Sequence, residues 1–344
     1  MENVPPSLSP KMAREWYVAC LSSDLRQGPM ARVVLGTPVV LFRGPDGAAA
    51  ALLDRCAHRN VPLSIGRMVE QRLECAYHGW QYGPDGRCAK IPGMCGEADR
   101  EVRSVPRFAA LEQDGLVWVY ATPDVEPDVR PFAVPSLGEG AVVARRVVEV
   151  ESPLHAALEN ALDVPHTSIL HRGLFRGVRE RHRIKARVTR TPEGVQAEYL
   201  GEPRPEGLAA KILSPSGGVV THFDRFLWPS IAQVEYRLGN EAHFLVNSIC
   251  TPVTDALTRI HAVITFRTRL PGGLVKLVLN PVATRIFRQD AFILKAQGEN
   301  LRRFGGEHYT STAIDVLGLQ IARLLRGGES GPPEEWTREI EMEV

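Results

Sequence analysis

Two short patterns, Cys56-Ala57-His58 and Cys75-Ala76-Tyr77-His78, constrain this chain more than anything else in it. Sixteen residues separate them. Each pairs a thiol with an imidazole, and the internal spacing differs between the two. Two thiolates and two imidazoles fit a tetrahedral zinc, or a [2Fe–2S] cluster with both Cys on one iron and both His on the other. Zinc favours tighter Cys-x-x-Cys or His-x-x-x-His pairs. Alternating Cys-x-His and Cys-x-x-His suits a binuclear cluster to which each loop gives one ligand per iron.

The chain around them is too long for one core. At 344 residues, two domains are expected. Residues 14–53 alternate β-rich runs with Gly and Pro turns, as at Gly44-Pro45-Asp46-Gly47, and 116–120 adds a further strand. That pattern predicts a small all-β unit over residues 1–125. Pro123, Pro127, Pro131 and Pro135 mark a Pro-rich stretch, read as a linker over 126–136 or as an ordered loop packed on one domain. Residues 137–344 then form the second domain. Strands are predicted over 141–150 and, in the strand-like stretch from 183 on, over 196–200, 218–223, 231–237, 243–251 and 259–267. Helices are predicted over 154–164, 281–304 and 312–325. The class is α+β: a curved antiparallel sheet with helices packed on it.

The predicted first helix carries a second constellation, Asn160-x-x-Asp163-x-x-His166-x-x-x-x-His171. Steps of three place Asn160, Asp163 and His166 on one helical face. Pro165 is expected to stop that helix, which lets His171 fold back towards His166. The predicted long helix holds a misplaced carboxylate. Asp290 falls within an apolar stripe of Ile286, Phe287, Ile293, Leu294 and Leu301. A buried carboxylate needs a cation. A salt bridge to Arg285 or Arg288 is one solution, and a metal shared with the two His is the other. Two His and one carboxylate form the facial triad of non-haem Fe(II) oxygenases.

Cys56-Ala57-His58-Arg59 and Cys75-Ala76-Tyr77-His78-Gly79-Trp80, with Gly86-Arg87-Cys88 and Ile91-Pro92-Gly93, resemble the Rieske domain of the Rieske non-haem iron oxygenases. Ala57 and Ala76 stand where that family commonly has Pro. The His166/His171 constellation and Arg288-Gln289-Asp290 resemble its iron motif. The resemblance implies a β-sandwich Rieske domain followed by a helix-grip catalytic domain. It implies that Cys56, His58, Cys75 and His78 hold the cluster, and that His166, His171 and Asp290 hold a mononuclear Fe(II) that uses O₂. It further implies electrons from NAD(P)H through a reductase or ferredoxin, and a head-to-tail homotrimer. In that trimer Asp163 would bridge His166 to His78 of the next subunit, with Asn160 beside the iron ligands.

Four functional readings are to be weighed. A monooxygenase would hydroxylate or demethylate a small aromatic or other cyclic substrate, as in the vanillate and dicamba demethylase and toluenesulfonate monooxygenase groups that this compact chain resembles. A ring cis-dihydroxylating dioxygenase and a tailoring enzyme of a natural-product pathway are the alternatives. A bare electron carrier would use only the first third of the chain. Phe226, Trp228, Asn247 and Phe292 are candidate substrate contacts. The net charge of +1 gives no reason to expect a nucleic-acid partner. No apolar run is long enough to span a bilayer. The lack of a leader-like N-terminus and the scattered Cys20, Cys88, Cys95 and Cys250 point to a reducing cytoplasm.

Overall fold

The computed structural model describes residues 8–26, 28–172, 182–203, 219–268, 272–327 and 335–343. The chain divides into two compact units, 1–133 and 134–344.

The first unit contains β1 (Trp16–Leu21), β2 (Met30–Val34), β3 (Thr37–Arg43), β4 (Ala49–Leu53), β5 (Arg67–Val69), β6 (Arg72–Glu74), β7 (Gln81–Tyr82), β8 (Cys88–Lys90), β9 (Arg107–Phe108), β10 (Ala110–Gln113) and β11 (Leu116–Tyr120). They form three antiparallel sheets in the orders β1-β11-β10, β2-β3-β4-β9 and β5-β6-β7-β8. One core cluster brings Val40, Phe42, Leu52, Leu63, Leu73 and Tyr82 around Cys56 and Cys75. The Pro-rich stretch is tied to this unit. Trp16 Nε1 donates to Val129 O at 2.9 Å, and Gln113 Nε2 donates to Phe132 O at 3.0 Å.

The second unit contains β12 (Val142–Val150), α1 (Leu154–Leu162), α2 (Val164–Ile169), β13 (Arg183–Thr191), β14 (Gly194–Leu200), β15 (Val220–Leu227), β16 (Ile231–Leu238), β17 (Ala242–Thr254), β18 (Leu257–Thr268), α3 (Gly272–Phe304), α4 (Gly318–Leu325) and β19 (Thr337–Glu343). Eight strands form one antiparallel sheet in the order β12-β18-β17-β16-β15-β14-β13-β19. Period-two alternation drives it: in β13 and β15 every second residue is buried. Helix α1 lies against β15 to β18 and carries α4 and part of α3 on it. The unit is the expected curved sheet with helices.

Several local expectations change. Helix α1 ends at Leu162, before Pro165. Asp163 breaks the helix by taking φ −91° and ψ 105°. Pro165 then starts α2 rather than stopping α1, a position where its missing N–H costs nothing. Asn160 and His166 therefore sit on different helices. The long helix begins at Gly272 and passes through Pro281. The last helix is confined to Gly318–Leu325. Ile293, placed in the buried stripe of α3, is 42 % exposed. The predicted strand start at Gly218 lies outside the described residues. Strand β19 was not expected: its Arg and Glu face solvent, and besides the backbone ladder it meets β13 through exposed ion pairs such as Arg183–Glu343 and Arg187–Glu339.

Candidate metal centres

The two Cys/His loops of the first unit have the same backbone. Cys56 N–H donates to Val61 O (2.9 Å) and Asn60 N–H donates to Cys56 O (3.0 Å). In the second loop, Cys75 N–H donates to Trp80 O (2.8 Å) and Gly79 N–H donates to Cys75 O (3.1 Å). The fifth residue of each loop takes a left-handed conformation, Asn60 at φ 59° and Gly79 at φ 69°. A Cβ on Gly79 would also sit 2.9 Å from Pro92 Cγ. Equal loops thus present a Cys first, then a His one position earlier or later.

The four side chains segregate by type. Cys56 and Cys75 are 1 % and 3 % exposed, whereas His58 is half-buried and His78 exposed. The His58 and His78 rings lie 4.5 Å apart, and the Trp80 indole stacks flat on His58 at 4.8 Å. Burial pushes the Cys75 thiol above its ordinary range, and the Cys56 thiol beside it adds to the rise. Two neighbouring buried thiols need a cation to become thiolates. His58 Nδ1 is buried with no hydrogen-bond partner. The donor set fits a cluster with thiolates inward and imidazoles outward. The Tyr82 hydroxyl is 3.3 Å from Cys56 Sγ and accepts from Ala57 N–H at 3.3 Å. All six Cys are unpaired in disulfides.

In the second unit, His166, His171 and Asp290 converge. His166 Nε2 is 3.2 Å from His171 Nε2 and 3.7 Å from Asp290 Oδ1, and His171 Nε2 is 3.0 Å from Asp290 Oδ1. Ligand atoms about 2.1 Å from one ion lie about 3.0 Å apart at right angles and about 3.4 Å apart at tetrahedral angles. The triangle has that size, and it is the single His/Cys/Asp/Glu cluster of this kind among the described residues. Asp290 makes no ion pair with Arg285 or Arg288 among the described residues; its neighbours are the two imidazoles.

The outer ring nitrogens are held elsewhere. His166 Nδ1 donates to the Asp163 backbone carbonyl, with the Asp163 carboxylate 3.4 Å away. His171, 2 % exposed, donates from Nδ1 to Gln289 Oε1 at 3.0 Å. Both tautomers therefore leave Nε2 free to face the shared point. Burial alone would lower the His166 pKa, but the Asp163 and Asp290 carboxylates outweigh it and push it up to about 9. Burial would raise the Asp290 pKa, but the two imidazoles hold it below the usual carboxylate range. The field at this point favours a cation. Asp163 Oδ2 also accepts His166 N–H at 3.1 Å, so the residue that breaks α1 caps α2.

The remaining candidates are dispersed. Asn160 is half-buried on α1, and its side chain makes no hydrogen bond among the described residues. Phe226 is wholly buried on β15. Trp228 follows that strand and donates N–H to Glu193 O. Asn247 is wholly buried and accepts from Gln233 Nε2 at 2.8 Å. Phe292 is 71 % exposed on α3, in a groove beside the triad. Gln289 was missed as a site residue; its position next to Asp290 was the available signal.

Residues 15–108 match the family described as the Rieske [2Fe-2S] domain, and residues 150–327 match the vanillate O-demethylase oxygenase C-terminal domain. The chain belongs to the Rieske oxygenases of the vanillate O-demethylase family. The cofactors of these oxygenases are a Rieske [2Fe–2S] cluster and a mononuclear iron used with O₂. The chain is 37 % identical over 163 residues to the dicamba O-demethylase oxygenase component of Stenotrophomonas maltophilia, covering 46 % of this chain and 47 % of that protein. It is 36 % identical over 165 residues to a putative toluene-4-sulfonate monooxygenase system iron-sulfur subunit of Comamonas testosteroni, covering 45 % of each. A 3-chlorobenzoate-3,4-dioxygenase oxygenase subunit of the same species is 32 % identical over 227 residues, covering 63 % of this chain and 51 % of that one. The match spans about half the length of these relatives. The fold is that of crystalline dicamba monooxygenase, with TM-score 0.76 over 92 % of this chain and 97 % of that one at 24 % identity. No helix among the described residues is long and apolar enough to cross a membrane.

Proposed function

We propose that this chain is the terminal oxygenase component of an O₂-dependent monooxygenase system that hydroxylates or demethylates a small aromatic or other cyclic substrate. The observation that carries the proposal is the His166, His171 and Asp290 triangle, in a chain that also holds the twin Cys/His loops. When bound, the cluster supplies electrons one at a time and the mononuclear iron binds and activates O₂. Cys56 and Cys75 would hold one cluster iron, His58 and His78 the other. Nε2 of His166, Nε2 of His171 and the Asp290 carboxylate would hold the mononuclear iron. The Asp163 carbonyl and Gln289 keep the two imidazoles in that orientation. Asp163 is assigned as the inter-subunit bridge between His166 and His78 of a neighbouring copy, which requires a head-to-tail homotrimer. The electron source is NAD(P)H through a reductase, directly or by way of a ferredoxin, in the cytoplasm.

The test is isotope incorporation from ¹⁸O₂ by the holoenzyme with its reductase. One labelled atom, in a new hydroxyl of the product or in the aldehyde released on demethylation and trapped before it exchanges with water, supports the reading. Two atoms in a cis-diol would replace it with ring dihydroxylation, the alternative favoured by the likeness to the 3-chlorobenzoate-3,4-dioxygenase subunit. No oxygenated product, with iron present, would sink both.

A further inference from the structure

A cavity of about 10 Å³ lies where α1 meets α2, and Glu159, Asp163, Tyr199 and Asp315 are part of its wall. That volume is on the order of what one water needs. Gly318 also lines it, and a Cβ there would collide with Glu159 Oε1, so the Glu159 carboxylate lies at the wall only because that residue is glycine. Tyr199 enters from β14. It is 2 % exposed, and its hydroxyl is buried without a hydrogen-bond partner. Buried hydroxyls are rarely left so. Its ring is fixed by stacking on His222 at 4.6 Å. Burial pushes its pKa well above the ordinary range, and the Asp224 and Asp163 carboxylates add to the rise, so the hydroxyl keeps its proton.

Three carboxylates beside one cavity suggest a cation, but the distances do not. Oxygens about 2.1 Å from one small ion lie no more than about 4.2 Å apart. The described residues contain one group of three ligating side chains with atoms within 4.8 Å of one another, and it is His166, His171 and Asp290. A water bonds at about 2.8 Å and so joins partners up to about 5.6 Å apart. It also donates and accepts, which suits a carboxylate facing a hydroxyl. Asp163 has a place for it: Oδ2 accepts His166 N–H, and Oδ1 makes no hydrogen bond among the described residues.

We infer that this cavity binds one water, that the water joins the Tyr199 hydroxyl to the Asp163 carboxylate, and that Tyr199 is thereby a positioning residue for Asp163. The His166 N–H and the water then hold the carboxylate from two sides. With the N–H alone, the carboxylate is free to turn about its Cβ–Cγ bond, and its charge loses a fixed place 3.4 Å from His166 Nδ1. The consequence for electron passage rests on the inter-subunit bridge proposed above; the water and the held carboxylate do not.

The first measurement is a high-resolution crystal structure of the holoenzyme. A water within about 3.0 Å of both Tyr199 Oη and an Asp163 carboxylate oxygen is expected. It should be absent from Tyr199→Phe, which keeps the ring and its stack. The second is native-state hydrogen exchange, read by mass spectrometry on the peptide that carries α2. Tyr199→Phe should speed exchange there about fivefold, as loss of one hydrogen-bonded link implies, with β14 and β15 unchanged. Placed on Asp163→Ala, which has already lost the carboxylate, the same substitution should add nothing. A role in packing alone gives equal effects on both backgrounds. The inference is overturned by no water in contact with both groups, by a metal ion in its place, or by a Tyr199 hydroxyl that donates to Asp224 over an unfilled cavity. Unchanged α2 exchange, or equal effects on both backgrounds, overturns it too. Normal single turnover of Asp163→Asn would end the bridge reading and leave both measurements standing.

Discussion

Asp163 caps α2 and is proposed to bridge to a neighbouring copy, and a pair of substitutions pulls the two roles apart. Its Oδ2 accepts His166 N–H at 3.1 Å as the cap of α2. Its charge lies 3.4 Å from His166 Nδ1, while the hydrogen bond that orients the ring goes to its backbone carbonyl. Asp163→Ala removes cap and charge together. Loss of one N-cap costs about 1 kcal/mol, within a range of about 0.5–2 kcal/mol. Asp163→Asn keeps the cap, since Asn ranks with Asp there, and should cost no more than about 0.5 kcal/mol. It keeps the backbone carbonyl too, so the His166 ring stays oriented and the mononuclear iron stays bound. What it loses is the negative charge assigned to the bridge. Urea unfolding should thus rank the two variants as Ala below Asn. Single turnover of pre-reduced enzyme with substrate and O₂ should fail in both, although the partner reductase still reduces the cluster. A normal rate of cluster reoxidation coupled to product in Asp163→Asn would refute the reasoning and leave Asp163 as a helix cap.

Three further outcomes follow from particular contacts. Tyr82→Phe removes the hydroxyl 3.3 Å from Cys56 Sγ, and with it a donor that stabilises the reduced, more negative cluster; the potential should fall in a redox titration, with the visible spectrum otherwise kept. Gly298→Ala would place a Cβ 2.1 Å from the backbone carbonyl of Glu151, so α3 must shift; a loss of about 1–3 kcal/mol is expected by thermal unfolding, and an unchanged Tm would contradict the packing described. His222 is buried between Asp224 (Nε2–Oδ1 3.0 Å) and Glu202 (Nδ1–Oε2 2.6 Å). Burial would lower its pKa, but those two carboxylates outweigh it and push it up from 6.5 to about 9. A raised imidazole pKa gives stability that is full below about pH 6.5 and lost as pH climbs through about 9. Burial also raises the Asp224 pKa, which acts in the same sense. Chemical unfolding between these limits should show stability falling with pH, and His222→Gln should flatten the slope while lowering stability by about 3–5 kcal/mol.

What could be read from the sequence was what residue chemistry alone encodes. Cys56, His58, Cys75 and His78 declare themselves by type and spacing, because few other jobs use thiols and imidazoles together. Asp290 was legible as a carboxylate within an apolar stripe of its helix, although the stripe was drawn too wide and Ile293 lies outside it. The equality of the two Cys loops was hidden, since Asn60 and Gly79 meet the same left-handed requirement with different residues. Pro165 was misread because a proline that ends one helix and one that begins the next look alike in sequence; the Asp163 backbone decides between them. Gln289, the Gln233–Asn247 pair and the His222 cluster depend on which strands and helices are neighbours. Register supplies that, and local patterns do not. Strand β19 escaped because a charged edge strand lacks the apolar alternation that marks inner ones.

The account stands most directly on iron content in Asp290→Ala. Asp290 Oδ1 completes the triangle with His171 Nε2 at 3.0 Å and His166 Nε2 at 3.7 Å, whereas the Cys/His loops belong to the other compact unit. Iron and acid-labile sulfide are to be measured in wild type and variant, alongside electron paramagnetic resonance of the reduced protein. The variant should lose the mononuclear iron and oxygenation yet keep the cluster's iron, its sulfide and its rhombic signal. Full retention of mononuclear iron and turnover in Asp290→Ala would contradict the assignment of this triangle as the oxygen-activating site.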